Sequence, residues 1–341
     1  MKNTATPKLA LLIAIGLAAG LVASTTAHAV TRFKIATLAP EGTTWMKVMK
    51  EMADEVKKNT AGEVELRFFP GGVMGDEGDV IRKMHFGQLQ GGGFTGRGLG
   101  EVNSEERVLE LPLLFENYKE VDCVLGKLND RLAAGFEKNG FVNLGWAESG
   151  FVYIFTNKPI RRSADMNGVK MWMWEGDPLA KALCEANHIV PVPLDLPNVL
   201  TAMQTGLIDA VYSTPYAIVS LQWYTRIKYM LSLKLTYGSG AVLVSKKQLD
   251  ALTPEQQRVL RETVEKHLKR LTELTRKEND EALNVLKKAG IETVELKSAD
   301  ERSAIEKASV SVYDKLVGTL YPRELLEMTI RVRDECRQGN R

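Results

Sequence analysis

The sequence predicts an α/β protein of two lobes, with mixed, mainly parallel sheets. Short apolar strands alternate with segments of helical period, the signature of parallel sheets covered by helices. About 310 of the 341 residues remain once a removable leader is set aside, more than one typical domain holds. A long capped helix late in the chain completes the pattern.

The leader comes first. Lys2 and Lys8 make a basic start, Leu9 to Val22 is an apolar run interrupted only by small residues, and Ala27-His28-Ala29 offers a small-x-small cleavage site. This is the layout of a secretory signal peptide, with residues 1–29 removed and a soluble mature chain beginning near Val30 in the periplasm. The apolar run falls short of the ~20 residues a spanning helix needs, and no Cys at the cleavage point suggests a lipid anchor. Removing Lys2 and Lys8 takes the formal charge from +2 to neutral, so no basic face is expected for nucleic acid.

The elements then follow in order. Phe33–Leu38 reads as a strand, and Thr43 or Thr44 caps a helix to about Lys58 with Trp45, Val48, Met49, Met52 and Val56 at helical spacing. Glu63–Phe69 alternates like a strand, ended by Pro70-Gly71-Gly72, and Asp76–Phe86 is the next helix. Phe141–Ala147, Phe151–Thr156 and Val169–Met173 are strands. Asp177–Ala186 and Asp195–Thr205 are helices, the second with Pro197 in its first turn. Ile208–Tyr212 and Ala241–Ser245 are strands. Thr253 and Gln256 have capping-box spacing at the head of a helix to about Ala289, whose Lys, Arg and Glu residues form a solvated face. An amphipathic helical tail runs from Ala299 to Arg337.

Chemistry-bearing motifs are few. His85, His188 and His267 show no metal-ligand spacing, so neither a metal nor a cofactor is expected. Cys123, Cys184 and Cys336 are an odd, scattered set, read as buried apolar residues or free thiols; one bridge would be possible, but no pair is favoured. Gly91-Gly92-Gly93-Phe94-Thr95-Gly96 matches the dinucleotide fingerprint in form. With Arg97-Gly98-Leu99-Gly100 after it rather than a helix, it reads instead as a sheet edge approached closely by a ligand or another backbone. In Val169–Trp174 the alternation puts Val169, Met171 and Met173 toward the core and Lys170, Trp172 and Trp174 on the other face. Two tryptophans on one face could simply be core, but strand ends line the crevice of an open α/β sheet, which raises a binding role for them. Glu175 and Asp177 are a conceivable acid and base for an exported enzyme, but capping of the following helix is the simpler role for Asp177.

Four segments resemble one family in the right order. Arg161–Met171, with Asp165-Met166-Asn167-Gly168-Val169-Lys170-Met171, resembles the D-L-K-G-L-K-I-R signature of DctP-type solute-binding proteins of TRAP transporters. Met203–Ala210 is similar to A-L-Q-T-G-x-V-D-G, Pro70–Asp76 to Y-P-x-x-x-L-G, and Leu111–Phe115 to L-P-F-L-F. The resemblance implies a periplasmic binding protein that is not an enzyme, closing two lobes on a small ligand and delivering it to TRAP-type membrane permease subunits. By the same alignment, residues 30–149 and 238–277 form the first lobe, 150–237 and 278–330 the second, and 331–341 a C-terminal tail. A ligand-sensing protein for a membrane receptor is the alternative on the same scaffold.

The resemblance also places two ligand-carboxylate arginines, and here those positions are Val152 and Trp172. An Arg would form a bidentate, charge-assisted pair with a carboxylate, and burying a carboxylate without one is costly. The expectation is therefore a ligand with apolar or planar surface, stacked by Trp172 and Trp174. Phe94 and Thr95 would line the first lobe, Tyr212, Ser213 and Thr214 the second, and Trp45 and Tyr237 the cleft rim. Arg97 is a neighbouring position from which a charge would still serve an ordinary organic acid.

Overall fold

The computed structural model describes residues 30–339, so the leader read in residues 1–29 lies outside the described part of the chain. In chain order the strands are β1 (Thr31–Thr37), β2 (Val64–Phe69), β3 (Gly91–Thr95), β4 (Phe141–Thr156), β5 (Lys170–Met173), β6 (Val190–Pro193), β7 (Ala210–Ser213), β8 (Tyr229–Leu231), β9 (Thr236–Ser245) and β10 (Glu292–Val294). The α-helices are α1 (Thr44–Asn59), α2 (Glu77–His85), α3 (Gly96–Val102), α4 (Tyr118–Lys138), α5 (Pro178–Ala186), α6 (Val199–Thr205), α7 (Pro215–Ser220), α8 (Lys246–Asp250), α9 (Pro254–Lys288), α10 (Ala299–Val310), α11 (Val312–Lys315) and α12 (Arg323–Gly339).

The strands hydrogen-bond in the order β2-β1-β3-β9-β4-β7-β5-β6, with β8 on β4 and β10 on β8. The pairs β1/β2, β1/β3, β5/β6, β5/β7 and β8/β10 are parallel, whereas β9 runs antiparallel to β3 and β4, and β4 antiparallel to β7 and β8. The mixed, mainly parallel α/β reading holds.

Where two strands were expected, Phe141–Ala147 and Phe151–Thr156, a single strand of 16 residues runs through. Its start pairs with β9, from Phe141 opposite Ser245, and its end pairs with β7 at Tyr153–Thr156. The ladder to β9 shifts register between Asn143 and Gly145 and again between Glu148 and Gly150. Such bulges bend a strand and raise its local twist. At the second bend Gly150 has φ +103°, and a Cβ there would lie 2.5 Å from Asn279 Nδ2 and 2.9 Å from the Tyr118 hydroxyl. Only glycine fits both the backbone and the space.

Two helices hold this bend. α4 supplies Tyr118, and α9 supplies Asn279. Helix α9 opens with the expected capping box of Thr253 and Gln256 and, at 1.5 Å per residue, is about 52 Å long. Its apolar buried stripe, Leu260, Val264, Leu268 and Leu271, is interrupted by Thr275 and Asn279 and resumes with Ala282 and Leu286. Asn279 donates to the Ser149 carbonyl (2.8 Å) and accepts from the Tyr216 amide (3.0 Å), so one side chain ties β4 to the start of α7.

Two expectations are overturned. Strand β3 is no sheet edge, because β9, from much further along the chain, covers its open side. The segment after it is helical, α3, and its glycines make room for buried carboxylates. A Cβ at Gly96 would sit 2.1 Å from Glu110 Oε1, and one at Gly98 2.8 Å from Glu77 Oε2.

The cysteines also differ from expectation: Cys123 and Cys336 form a disulfide with Cα atoms 6.2 Å apart, and only Cys184 is free. The bridge joins α4 to the last helix, α12, whose Leu325, Leu326 and Val332 share one core cluster with Val121, Val124 and Leu128 of α4. Residues 331–339 thus belong to a helix, as the amphipathic pattern to Arg337 predicts, and the bridge tethers it.

Replacing Gly150 by Ala is expected to destabilise the fold by about 1–3 kcal/mol, and Asn279→Ala by about as much, in denaturant unfolding. Midpoints equal to that of the unaltered protein would contradict the bend as described. The disulfide closes a separation of 213 residues, for which a chain-entropy model gives about 5 kcal/mol. Cys123→Ala with Cys336→Ala should therefore lower Tm by several degrees, with no further loss on adding reductant.

Candidate functional site

A cavity of about 220 Å³ opens where strand ends converge. Thr37 closes β1, Thr95 closes β3 and Ser213 closes β7, with Trp174 just beyond β5; Ser149 and Val152 of β4 and Gly238 and Ser239 of β9 form the wall between them. This is the crevice at carboxyl ends of strands where open α/β sheets bind ligands.

The ten residues singled out from sequence all line this one cavity. Their settings differ from what alternation suggested. Strand β5 is covered on both faces: Met171 packs with Ile154 and Ile189, and Trp172 with Val199, Val211 and Trp223. Trp172 is only 1% exposed, stacks on Tyr212 (centroids 5.1 Å, 16° between planes), and donates through Nε1 to the Leu194 carbonyl (2.9 Å). Trp174 is half-buried against it (4.9 Å) and donates to Asp76 Oδ2 (2.9 Å). Tyr237 does not stand at a rim; it is buried, and its hydroxyl donates to Glu148 Oε2 (3.1 Å). Trp45 is edge-on to Tyr216 and donates to Thr275 Oγ1 (2.9 Å). Phe94 is buried beside Leu99 and Val80, Val152 is buried, and Thr214 caps α7 by accepting from the Ala217 amide. Tyr212 keeps a buried hydroxyl oxygen without a hydrogen-bond partner of good geometry.

Sequence reasoning missed the charged part of the wall. The 3₁₀ segment Ser104–Glu110 buries Glu106, Arg107 and Glu110. Arg107 Nη2 reaches both oxygens of Asp177 (2.9 and 3.2 Å), and its Nη1 pairs with Glu110. Glu110 also accepts from the Ser239 amide (2.9 Å) and hydroxyl (3.0 Å). Asp177 caps helix α5 through the Leu179 and Ala180 amides, as expected, while the Glu175 side chain is exposed. Glu77 accepts from the Thr95 amide (2.6 Å), the Thr95 hydroxyl (2.9 Å) and the Gly98 amide (2.7 Å). The readable signal was the glycine at every second place from Gly96 to Gly100, which leaves space for side chains from elsewhere.

Burial pushes the Glu77 carboxyl up to about 8, with the nearby Asp76 charge adding to it against three hydrogen bonds. Burial and then the Glu110 charge push Glu106 up to about 8 as well. Neither Glu106 oxygen has a partner of good geometry, since the nearby Ser239 hydroxyl is committed to Glu110. Burial also raises Glu110 and Glu148, the latter opposed by Arg276 (2.9 Å to Oε1, 2.8 Å to Oε2). Arg97 donates to Glu101 (2.6 Å) and to the Glu175 carbonyl (3.1 and 3.2 Å). Among the described residues no cluster of His, Cys, Asp and Glu is arranged to hold a metal ion.

The profile of the family described as bacterial extracellular solute-binding protein, family 7, matches residues 35–319. The chain belongs to the DctP family of TRAP solute-binding proteins. A relative from Escherichia coli, the 2,3-diketo-L-gulonate-binding periplasmic protein YiaO, is 26% identical over 250 residues, covering 72% of this chain and 75% of the relative. The C4-dicarboxylate-binding periplasmic protein DctP of Rhodobacter capsulatus is 23% identical over 262 residues, covering 76% and 78%. The crystal structure of the sugar acid binding protein DctPAm from Advenella mimigardefordensis with galactonate superposes on this DctP-family chain with a TM-score of 0.84 at 20% identity, covering 90% of it and 99% of that chain. At that identity the likeness establishes the shared two-lobed fold. No helix of the described residues is long and apolar enough to cross a membrane.

Glu77 and Glu106 retain protons in the folded DctP-family protein up to about pH 8 that the unfolded chain releases near 4.5. Between those values the folded state binds more protons, so stability falls as pH rises, by about 1.4 kcal/mol per pH unit for each group. Glu106→Gln should flatten part of that slope in denaturant unfolding between about pH 5.5 and 8. A variant with the unaltered protein's slope would show that Glu106 is ionised when folded.

Proposed function

We propose that this DctP-family protein is the periplasmic capture component of a TRAP-type secondary transporter, taking a small ligand with substantial apolar or planar surface between its lobes and handing it to membrane permease subunits. The lobes are read as residues 30–149 with 238–277 and 150–237 with 278–330, and residues 1–29 as the export leader. The observation that carries the ligand reading is the pair Val152 and Trp172, buried in the cavity wall where the family resemblance places arginines. The two arginines that do line the cavity are already engaged, Arg97 by Glu101 and the Glu175 carbonyl, Arg107 by Glu110 and Asp177. A carboxylate buried there would lack a free cation, at a cost of several kcal/mol. Trp174, Trp45 and Phe94 offer ring surface instead.

The relatives favour a second reading, since those named above bind 2,3-diketo-L-gulonate, C4-dicarboxylates and galactonate. In that reading Arg97 would leave Glu175 to meet an ordinary organic acid.

Mass spectrometry of ligand released from the purified protein, followed by a thermal-shift screen, separates the two. A true ligand at a hundredfold excess over Kd stabilises the folded state by about 2.7 kcal/mol. The expected ligand has an apolar or aromatic body and binds at least about tenfold more weakly to Trp174→Ala and to the gentler Trp172→Phe, a loss of about 1.4 kcal/mol. Tight binding of a simple dicarboxylate, indifferent to both changes, would establish the organic-acid reading.

A further inference from the structure

The charge of the cavity wall says more about the ligand than its apolar surface does. Two guanidinium groups and four carboxyl groups line the cavity: Arg97 and Arg107 against Glu77, Glu110, Glu148 and Asp177. Arg107 is shared between Glu110 and Asp177, and Glu148 is covered from outside the lining by Arg276. Glu77 meets only neutral donors, the Thr95 amide and hydroxyl and the Gly98 amide. Behind Arg107 the Glu106 carboxyl is wholly buried, with no hydrogen-bond partner of good geometry for either oxygen. Both arginines are spent, and the acids outnumber them.

One further observation points the same way. Next to Glu77 in the chain, Asp76 Oδ1 is buried without a hydrogen-bond partner of good geometry while Oδ2 takes the Trp174 indole, and burial, with the Asp195 charge adding to it, raises the Asp76 pKa. Acceptors in want of a donor, next to the ring of Trp174, suit an ammonium group, which is drawn both to carboxylates and to indole faces.

We propose that the ligand carries a protonated amine or quaternary ammonium group, received by the acidic wall around Glu77 and Glu110, and that acids without a positive nitrogen are selected against. The inference rests on the cleft being the ligand site. A cation entering would satisfy acceptors now short of donors. A bare carboxylate would instead oppose the ionisation of Glu77 and find no free guanidinium to meet it. Glu77 and Glu106, kept neutral by burial, would ionise beside an arriving cation, so binding would release protons; an arriving anion would do the reverse.

The test pairs size-matched probes that differ in charge, phenethylamine with phenylacetate and choline with succinate, in calorimetric titrations run in two buffers of different ionisation heat. The expected result is that the amine or ammonium member of each pair binds at least tenfold tighter, with net proton release, and that Glu77→Gln narrows the gap. Tighter binding of the carboxylate members, or proton uptake, overturns the proposal; the comparison on the unaltered protein decides this even if Glu77→Gln fails to fold. Ser213→Trp, which fills the cleft, separates the two layers. If it abolishes binding and the preferred probes are carboxylates, the charge inference fails and the cleft stands; if binding survives it, the cleft reading itself fails.

Discussion

The bend in β4 at Glu148–Gly150 is the constraint on which the rest of the molecule depends. One strand serves as the wall of the first part of the sheet through β9 and as the partner of β7 and β8 beyond it. To do both it must turn, and the turn needs a residue with positive φ and no Cβ. Around that point Ser149 is held by Asn279, Glu148 by Arg276 and Tyr237, and Val152 is carried into the cavity two residues on. The cavity lies at the bend because the bend is what brings the strand ends of both parts to face one another.

Buried charge is the second organising feature, and it is a costly one. Arg107 is withdrawn from water together with Glu110 and Asp177, and such clusters are seldom net stabilising against an apolar core of the same shape. Arg107 comes from the segment before the Leu111–Phe115 run and Asp177 from the end of the Trp-rich strand region, so the pair joins elements 70 residues apart across the cavity. Its geometry sets how close those two elements can come. Asp177 does this while also capping α5, which fixes its direction from the helix side.

Much of this was legible in the sequence. Helical period and caps located α1 and α9 to within a residue or two, because those signals are local. The four family segments placed the fold. What escaped notice was non-local. The interior position of β3 depends on β9, from far along the chain, and the Cys123–Cys336 bridge on two helices meeting late. Alternation along β5 put Trp172 opposite Met171 and Met173, but it could not tell core from cavity wall; with the strand covered on both sides the Trp172 ring is both. The buried acids were hidden for a different reason. No motif around Glu106, Arg107 and Glu110 singles them out; the one trace is the run of small residues at Gly96–Gly100, the space that receives charged side chains.

The antiparallel ladder of β4 and β9 has a mechanical consequence. The two strands are hydrogen-bonded from Phe141 opposite Ser245 to Val152 opposite Thr236, straight across the bend. Parts joined by such a ladder cannot swing on a slack tether; any opening has to flex a paired ribbon, which behaves as a leaf spring with a preferred direction and a restoring force. The resting shape of the cleft is then written into the backbone.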